Sequence, residues 1–219
     1  MFRKLKSVKD LNLTGLKLQQ IKRNQIPMLV IDDDKFEYQN ILQNHDFSIK
    51  HIEDIDAIDF VHNYEIILCD INGVGKKFGS KFDGAHIISE IRKKYPFKYI
   101  IAYTGHTHDP SYTKHLRKAD TVINKDISSD EWIEELDNAI KQTVNPINKW
   151  SRIRDFLIAH EIEIQTVAKL EDEYVRIILS GDDISNFPKK KTMNKLPDEV
   201  KDILMSFTTS IIFKLIFSI

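Results

Sequence analysis

The sequence predicts an α/β domain built on a parallel sheet, followed by an all-helical extension. Three observations carry this prediction. Short, apolar, β-branched runs recur between Pro27 and Val144, and amphipathic helical patterns alternate with them. Several of the runs also stop abruptly at a polar residue: Asp32-Asp33-Asp34 ends Met28-Leu29-Val30-Ile31, Asp70 ends Ile66-Ile67-Leu68-Cys69, Thr104 ends Tyr99-Ile100-Ile101-Ala102-Tyr103, and Lys125 follows Val122-Ile123-Asn124. Runs of this length and composition read as strands buried on both faces, and helical crossovers between them imply a parallel sheet with right-handed connections. The polar residues then sit at the C-terminal edge of the sheet, where ligands and chemistry collect in open α/β folds.

In chain order, the strands are expected at 28–32, 47–52, 65–70, 98–104 and 120–124. Between them, 35–44 offers Phe36, Ile41 and Leu42, and 54–62 offers Ile55, Ile58, Phe60 and Val61. Residues 84–95 offer Ile87, Ile88 and Ile91, 110–118 reads as a weaker helix, and 130–144 carries Trp132, Ile133, Leu136, Ala139 and Ile140 on one broad face. The domain is therefore expected to span 27–144, preceded by a basic arm over 1–26.

Asn145-Pro146 supplies an N-cap and first helical position for the next helix. From Ile147 to Leu179 there is no Pro or Gly, and Trp150, Ile153, Leu157, Ile164, Val167, Tyr174 and Ile178 recur in a seven-residue register. That pattern predicts one long helix packed against another. Pro197 can open a last helix with Val200, Ile203, Leu204 and Phe207. The tail 203–219 is apolar nearly all round. With Lys214 and five Ser or Thr residues it is marginal as a membrane span, so burial between helices of this or a second subunit is the expectation. Residues 145–219 thus read as a helical region for oligomerisation or partner docking.

Composition bounds the function. The chain has 219 residues and a net charge of −1, which hides an asymmetry. Residues 1–25 hold seven basic and one acidic residue, 26–144 hold 14 and 21, and 145–219 hold 11 of each. The acidic domain argues against nucleic-acid binding, which needs a surplus of Lys and Arg. The basic arm is expected to lie against that domain or to touch an anionic partner. The single cysteine, Cys69, excludes an intramolecular disulfide and reads as a buried hydrophobe. With no apolar leader in Phe2–Gln25, a cytoplasmic protein is expected.

Carboxylates from Asp32, Asp33 and Asp70 at one sheet edge would repel one another unless a cation joined them, and a hard, oxygen-rich site suits Mg²⁺. A carboxylate can attack phosphorus to give an acyl phosphate. Lys125 would neutralise charge on the transferred oxygens, and the Thr104 hydroxyl would donate to one of them.

At these residues the chain resembles the receiver domain of bacterial two-component response regulators, over about 27–144. The resemblance rests on Leu29-Val30-Ile31-Asp32-Asp33-Asp34, Ile67-Leu68-Cys69-Asp70, Ile101-Ala102-Tyr103-Thr104-Gly105 and Val122-Ile123-Asn124-Lys125. It implies a flavodoxin-like fold, with a five-stranded parallel sheet in the order 2-1-3-4-5. It also implies Asp70 as phosphoacceptor, Thr104 as switch hydroxyl and Lys125 as phosphate-pairing lysine. Asp33 would ligate Mg²⁺ directly, Asp32 directly or through water, with Asp70 and the backbone carbonyl of Asn72 completing the protein ligands. The implied partner is a histidine kinase or phosphotransfer protein, and the chemistry is self-phosphorylation and dephosphorylation rather than enzymatic turnover.

Three departures stand out. Asp126 replaces the proline that usually follows the lysine, so Lys125 would be aimed less tightly. Val122 replaces the usual aromatic switch residue. The loop 71–83 is longer than the family usually has; Lys76, Lys77 and Lys81 in it would cover a phosphate, dock a partner or simply be solvated. Two other readings compete with the receiver. One is an adaptor that works without phosphorylation. The other is a phosphatase of the haloacid-dehalogenase type, which Asp70-Ile71-Asn72-Gly73-Val74 faintly resembles, although Asn72 stands where those enzymes place a second acid. His106 and His108 could ligate a metal only with a third group, and His160-Glu161 lacks the surroundings of a phosphorylated histidine.

Overall fold

The computed structural model describes residues 4–13, 16, 18–105, 112–180, 184 and 187–217. His106 and His108 lie outside the described residues. The chain divides into two compact units, Lys22–Thr143 and Met1–Ile21 with Val144–Ile219.

The first unit is a parallel sheet of five strands: β1 (Met28–Ile31), β2 (Ile49–Ile52), β3 (Ile66–Asp70), β4 (Tyr99–Thr104) and β5 (Thr121–Asn124). Their order is β2-β1-β3-β4-β5. This is the flavodoxin-like order of receiver domains. Strands β1, β3 and β4 are buried along their whole length, as continuous apolar runs in a two-faced sheet require. Register then decides what shares an edge. Ile31 pairs with Cys69, so Asp32 is level with Asp70. Asp70 pairs with Tyr103, and Thr104 with Asn124, which puts Thr104 and Lys125 each one residue beyond a paired neighbour.

The sheet is flanked by helices, α1 (Gln39–Asn44), α2 (Asp83–Lys94), α3 (Thr113–Leu116) and α4 (Ser129–Val144). Helix α2 buries Ile87, Ile88 and Ile91, the apolar stripe read from the sequence, together with Ala85. At its end Arg92 donates to the carbonyls of Pro96 and Lys98 at 2.7 and 2.8 Å and to Asp120 at 2.7 Å, while Asp120 also accepts from the Ile100 amide. One guanidinium therefore fixes the approach to both β4 and β5. The helix expected over 54–62 forms only as a 3₁₀ turn, Ile58–Asn63. Its first residue is committed elsewhere: the Asp54 carboxylate accepts from the amides of Ile55, Gly75 and Lys76. A short polar side chain that bonds nearby backbone competes with helix formation.

The second unit is helical: α5 (Pro146–Ala159), α6 (Ile164–Ser180), α7 (Lys190–Met193), α8 (Asp198–Thr209) and α9 (Ile211–Phe217). Asn145 caps α5 by accepting from the Ile147 amide at 2.9 Å. The single long helix expected over 147–179 is instead two. Glu161 adopts φ +57°, its amide bonds Ile158 O, and the Ile162 amide bonds Leu157 O. That pair of bonds around a left-handed residue is a Schellman stop. The heptad stripe does mark helix pairing, but α5 packs against its own continuation. The core is aromatic. Trp150 stacks on Tyr174 at 5.2 Å, and Phe187, Phe207 and Phe213 gather around Tyr174. The tail joins this core, with Ile212, Phe213 and Ile216 buried. Among the described residues no helix is long and apolar enough to cross a membrane.

The basic arm divides between the units. Up to Ile21 it belongs to the helical unit, where the amides of Lys6 and Val8 donate to Asp172 and Glu171 at 2.7 and 2.9 Å, and Arg176 donates to Lys4 O. Arg23 lies against the acidic domain as expected, pairing with Asp137 at 2.7 Å.

Candidate functional site

The C-terminal edge of the sheet gathers the predicted carboxylates. Asp32, Asp33 and Asp70 each present an oxygen, and the three oxygens lie within 4.8 Å of one another. Asp32 and Asp70 are buried, whereas Asp33 is partly exposed. A group of three hard oxygen donors is the kind of site that takes Mg²⁺. The carbonyl-bearing Asn72 stands two residues after Asp70, its amide donating to Asp70 Oδ1 at 3.3 Å.

Two ammonium groups answer the negative charge. Lys125 Nζ lies 2.6 Å from Asp70 Oδ2 and 2.9 Å from Asp32 Oδ2. Despite Asp126 at the next position, the lysine is aimed squarely at Asp70, because its amide is tied to Thr104 O at 3.0 Å and Asp126 closes an Asx turn on Asn124 Oδ1. Lys76 Nζ lies 3.1 Å from Asp33 Oδ2. The positive groups do not fully compensate. Burial, reinforced by Asp32, raises the Asp70 carboxyl above its ordinary value, although Lys125 acts in the opposite direction. Burial would lower Lys125, but its bonds to Asp70 and Asp32 outweigh this and leave it raised. By formal charge, three carboxylates face two ammonium groups, and the remaining negative charge is the condition a divalent cation relieves. On donor chemistry, spacing and charge the residues fit Mg²⁺.

Thr104 is buried at the end of β4, and its Oγ1 accepts from the Asn72 side-chain Nδ2 at 3.5 Å. The Asn72 side chain is an amide and carries no proton for acid–base work, so the second acid of a dehalogenase-type phosphatase is not supplied at this position. Val122 is half exposed on β5.

Of four further contributors, three escaped the sequence reading, and the fourth, Lys76, is read there only as one of three loop lysines, without Asp33 as its partner. Tyr103, fully buried, donates to Asp32 Oδ2 at 2.8 Å. Burial and then the Asp32 charge push its phenol well above its ordinary value, so it stays a donor. Its ring meets Phe36 and Trp132 edge-on, which wedges it in place. These aromatics line a cavity of about 250 Å³ next to Asp32 and Lys125. The other three are Gly73, Asp54 and Lys76, which together shape the loop over Asp33. Gly73 has φ +78°, and a Cβ on it would fall 2.1 Å from Asp33 Oδ1. Only glycine combines that backbone with so close an approach. Alternation and position at a strand end were visible for Tyr103; nothing local in the sequence pairs Lys76 with Asp33, which lies 43 residues before it.

Among solved structures, the chain is similar to the receiver domain of NtrX from Brucella abortus, at 22% identity over 52% of this chain and 98% of that one, with a TM-score of 0.44. It is also similar to a CheY-like response regulator receiver domain protein from Methanospirillum hungatei JF-1 (16% identity, 54% and 95%, TM-score 0.46) and to a response regulator from Thermotoga maritima (16%, 53% and 98%, TM-score 0.44). No family model matches the chain, and no curated protein matches it. The fold assignment rests on the strand order and registers above.

Proposed function

We propose that the sheet unit is a phosphoacceptor receiver, in which Asp70 takes a phosphoryl group and the helical unit carries the output by contact with other proteins. The carrying observation is the Asp70 carboxylate, held 2.6 Å from Lys125 at the sheet edge and grouped with Asp32 and Asp33. In the proposed step an Asp70 oxygen forms a bond to phosphorus as the donor's P–N bond breaks. The bonding pair stays on the imidazole nitrogen of a histidine kinase or phosphotransfer protein, which takes up a proton from solvent. Asp32, Asp33, Asp70 and the Asn72 carbonyl would hold Mg²⁺, which when bound neutralises charge on the phosphoryl oxygens. Lys125 turns from the carboxylate to one of those oxygens, and the Thr104 hydroxyl donates to another. Asp32, already bonded by Tyr103, Lys125 and the Asp34 amide, is suited to reaching the ion through water. The setting is cytoplasmic, and the helical unit associates with a second copy or a partner protein.

The test is intact mass after incubation with acetyl phosphate, with and without Mg²⁺. A single phosphoryl adduct is expected that needs Mg²⁺ and is absent in Asp70→Asn; an adduct that persists in that variant overturns Asp70 as the acceptor. Light scattering of the full chain tests the association, and a monomer before and after phosphorylation removes the oligomer from this reading.

A further inference from the structure

The loop between β3 and α2 is built against one carboxylate of the site. Gly73 brings backbone so near Asp33 that a Cβ would overlap it. Val74 is fully buried, and Gly75 takes φ +77°. The Asp54 carboxylate then clasps the next two amides, Gly75 at 2.7 Å and Lys76 at 3.3 Å. This fixed turn delivers the Lys76 ammonium to Asp33 at 3.1 Å, while the following lysine, Lys77, turns to Asp56 at 3.5 Å. Asp33 is the most exposed of the three carboxylates and the one Lys125 does not reach. Lys76 thus occupies the outer side of the cluster, where an incoming cation must make contact.

We propose that Lys76 is a tethered cation that competes with Mg²⁺ for Asp33, so that the β3–α2 loop sets the Mg²⁺ concentration at which the site loads. The inference rests on the receiver reading of the site. An ammonium is a single charge with no vacant coordination position, so it does not supply the charge and coordination that a divalent ion would bring to Asp33 and Asp70. Mg²⁺ binding at Asp33 therefore works against the Lys76–Asp33 pair. Because the loop backbone is pinned by Asp54 and Gly73, the released ammonium remains at the rim of the site. Lys76 acts here as a positioning residue.

Calorimetric binding of MgCl₂ to the full chain tests this without any activity readout. Lys76→Ala and Lys76→Gln are expected to tighten Mg²⁺ about two- to fivefold, the range a partly exposed ion pair is worth. Lys77→Ala removes the same charge one residue away but leaves Asp33 paired, and it is expected to leave the affinity unchanged. Unchanged or weaker binding in the Lys76 variants overturns the competition while leaving the receiver reading intact. Equal tightening in Lys77→Ala also overturns it, by showing a general charge effect. A wild-type chain that binds no Mg²⁺ overturns the site assignment itself.

Discussion

Tyr103 donates its phenolic proton to Asp32 at 2.8 Å although β3 lies between their strands. The ring crosses the end of β3 because Tyr103 pairs in register with Asp70, the last residue of that strand. A buried carboxylate with Tyr103, Lys125 and the Asp34 amide as donors has both oxygens engaged and its orientation set.

Tyr103→Phe removes one of those donors without changing the shape of the aromatic cluster. Hydrogen bonds to charged groups contribute roughly 1.5–3 kcal/mol, and Lys125 remains, so a loss of about 1–2 kcal/mol is expected in urea unfolding. Phosphorylation of Asp70 is expected to survive, because Tyr103 bonds Asp32 and not the acceptor. A variant as stable as wild type would show that the phenol is replaceable by water.

Asp70→Asn is expected to stabilise the Mg²⁺-free protein at neutral pH. The folded state raises the Asp70 carboxyl, so it binds a proton more tightly than the unfolded chain does. Stability from this group is therefore greatest at acid pH and is lost as pH rises above the ordinary carboxylate range. The neighbours that face it are Asp32, Asp33 and Lys125. Differential scanning calorimetry without Mg²⁺ should show a higher Tm for the variant, by roughly 2–4 °C for each kcal/mol relieved in a chain of this size. A lower Tm would mean that the Lys125–Asp70 pair outweighs the burial of the charge.

Gly73→Ala is expected to cost about 1–3 kcal/mol and to weaken Mg²⁺ binding about tenfold. The added methyl meets Asp33 Oδ1 at 2.1 Å on a backbone with φ +78°, so either the carboxylate or the loop must move. Calorimetric Mg²⁺ binding and a thermal melt of the same variant read both effects. Wild-type affinity would place Asp33 outside the metal site.

Lys98 provides a pH signature away from the site. Its ammonium is buried and donates to the carbonyls of His62 and Tyr64. Burial pushes it down to about 8 from 10.5, with Glu65 opposing the shift. Below pH 8 the folded protein carries the cost of a buried charge. Between 8 and 10.5 the unfolded chain holds the proton and the folded one does not, so stability contributed by this residue rises with pH. Wild type should gain on Lys98→Met by up to about 3 kcal/mol across that window in denaturant melts. Parallel pH profiles would show that Lys98 is solvated when charged.

The strands were legible because burial on both faces writes itself as unbroken apolar runs, and the polar residue after each run marked the functional edge. Asp32, Asp70, Thr104 and Lys125 could thus be read from strand ends alone. The break at Glu161 was not legible. Neither Gly nor Pro signals it, and the heptad stripe continues through it, since a helix hairpin and a straight helix present the same stripe to a partner. The turn at 54–62 failed for the opposite reason: its apolar spacing suits a helix, but the Asp54 carboxylate is used by a loop more than twenty residues later.

By itself the sequence determined which strand residues would be buried, in what order the strands and crossovers occur, and which residue types stand at the end of each strand, because periodicity and residue type are local properties; on the helical faces it erred at Ile41, Phe60 and Ile164, which are exposed. Tertiary structure alone decided the partners. The satisfaction of Asp32 by Tyr103, the engagement of Asp33 by Lys76, the close approach of Gly73 and the return of the basic arm to α6 all join residues far apart in the chain. Such pairings depend on register and on where a loop backbone is pinned, and these are fixed only when the sheet and its connections pack together.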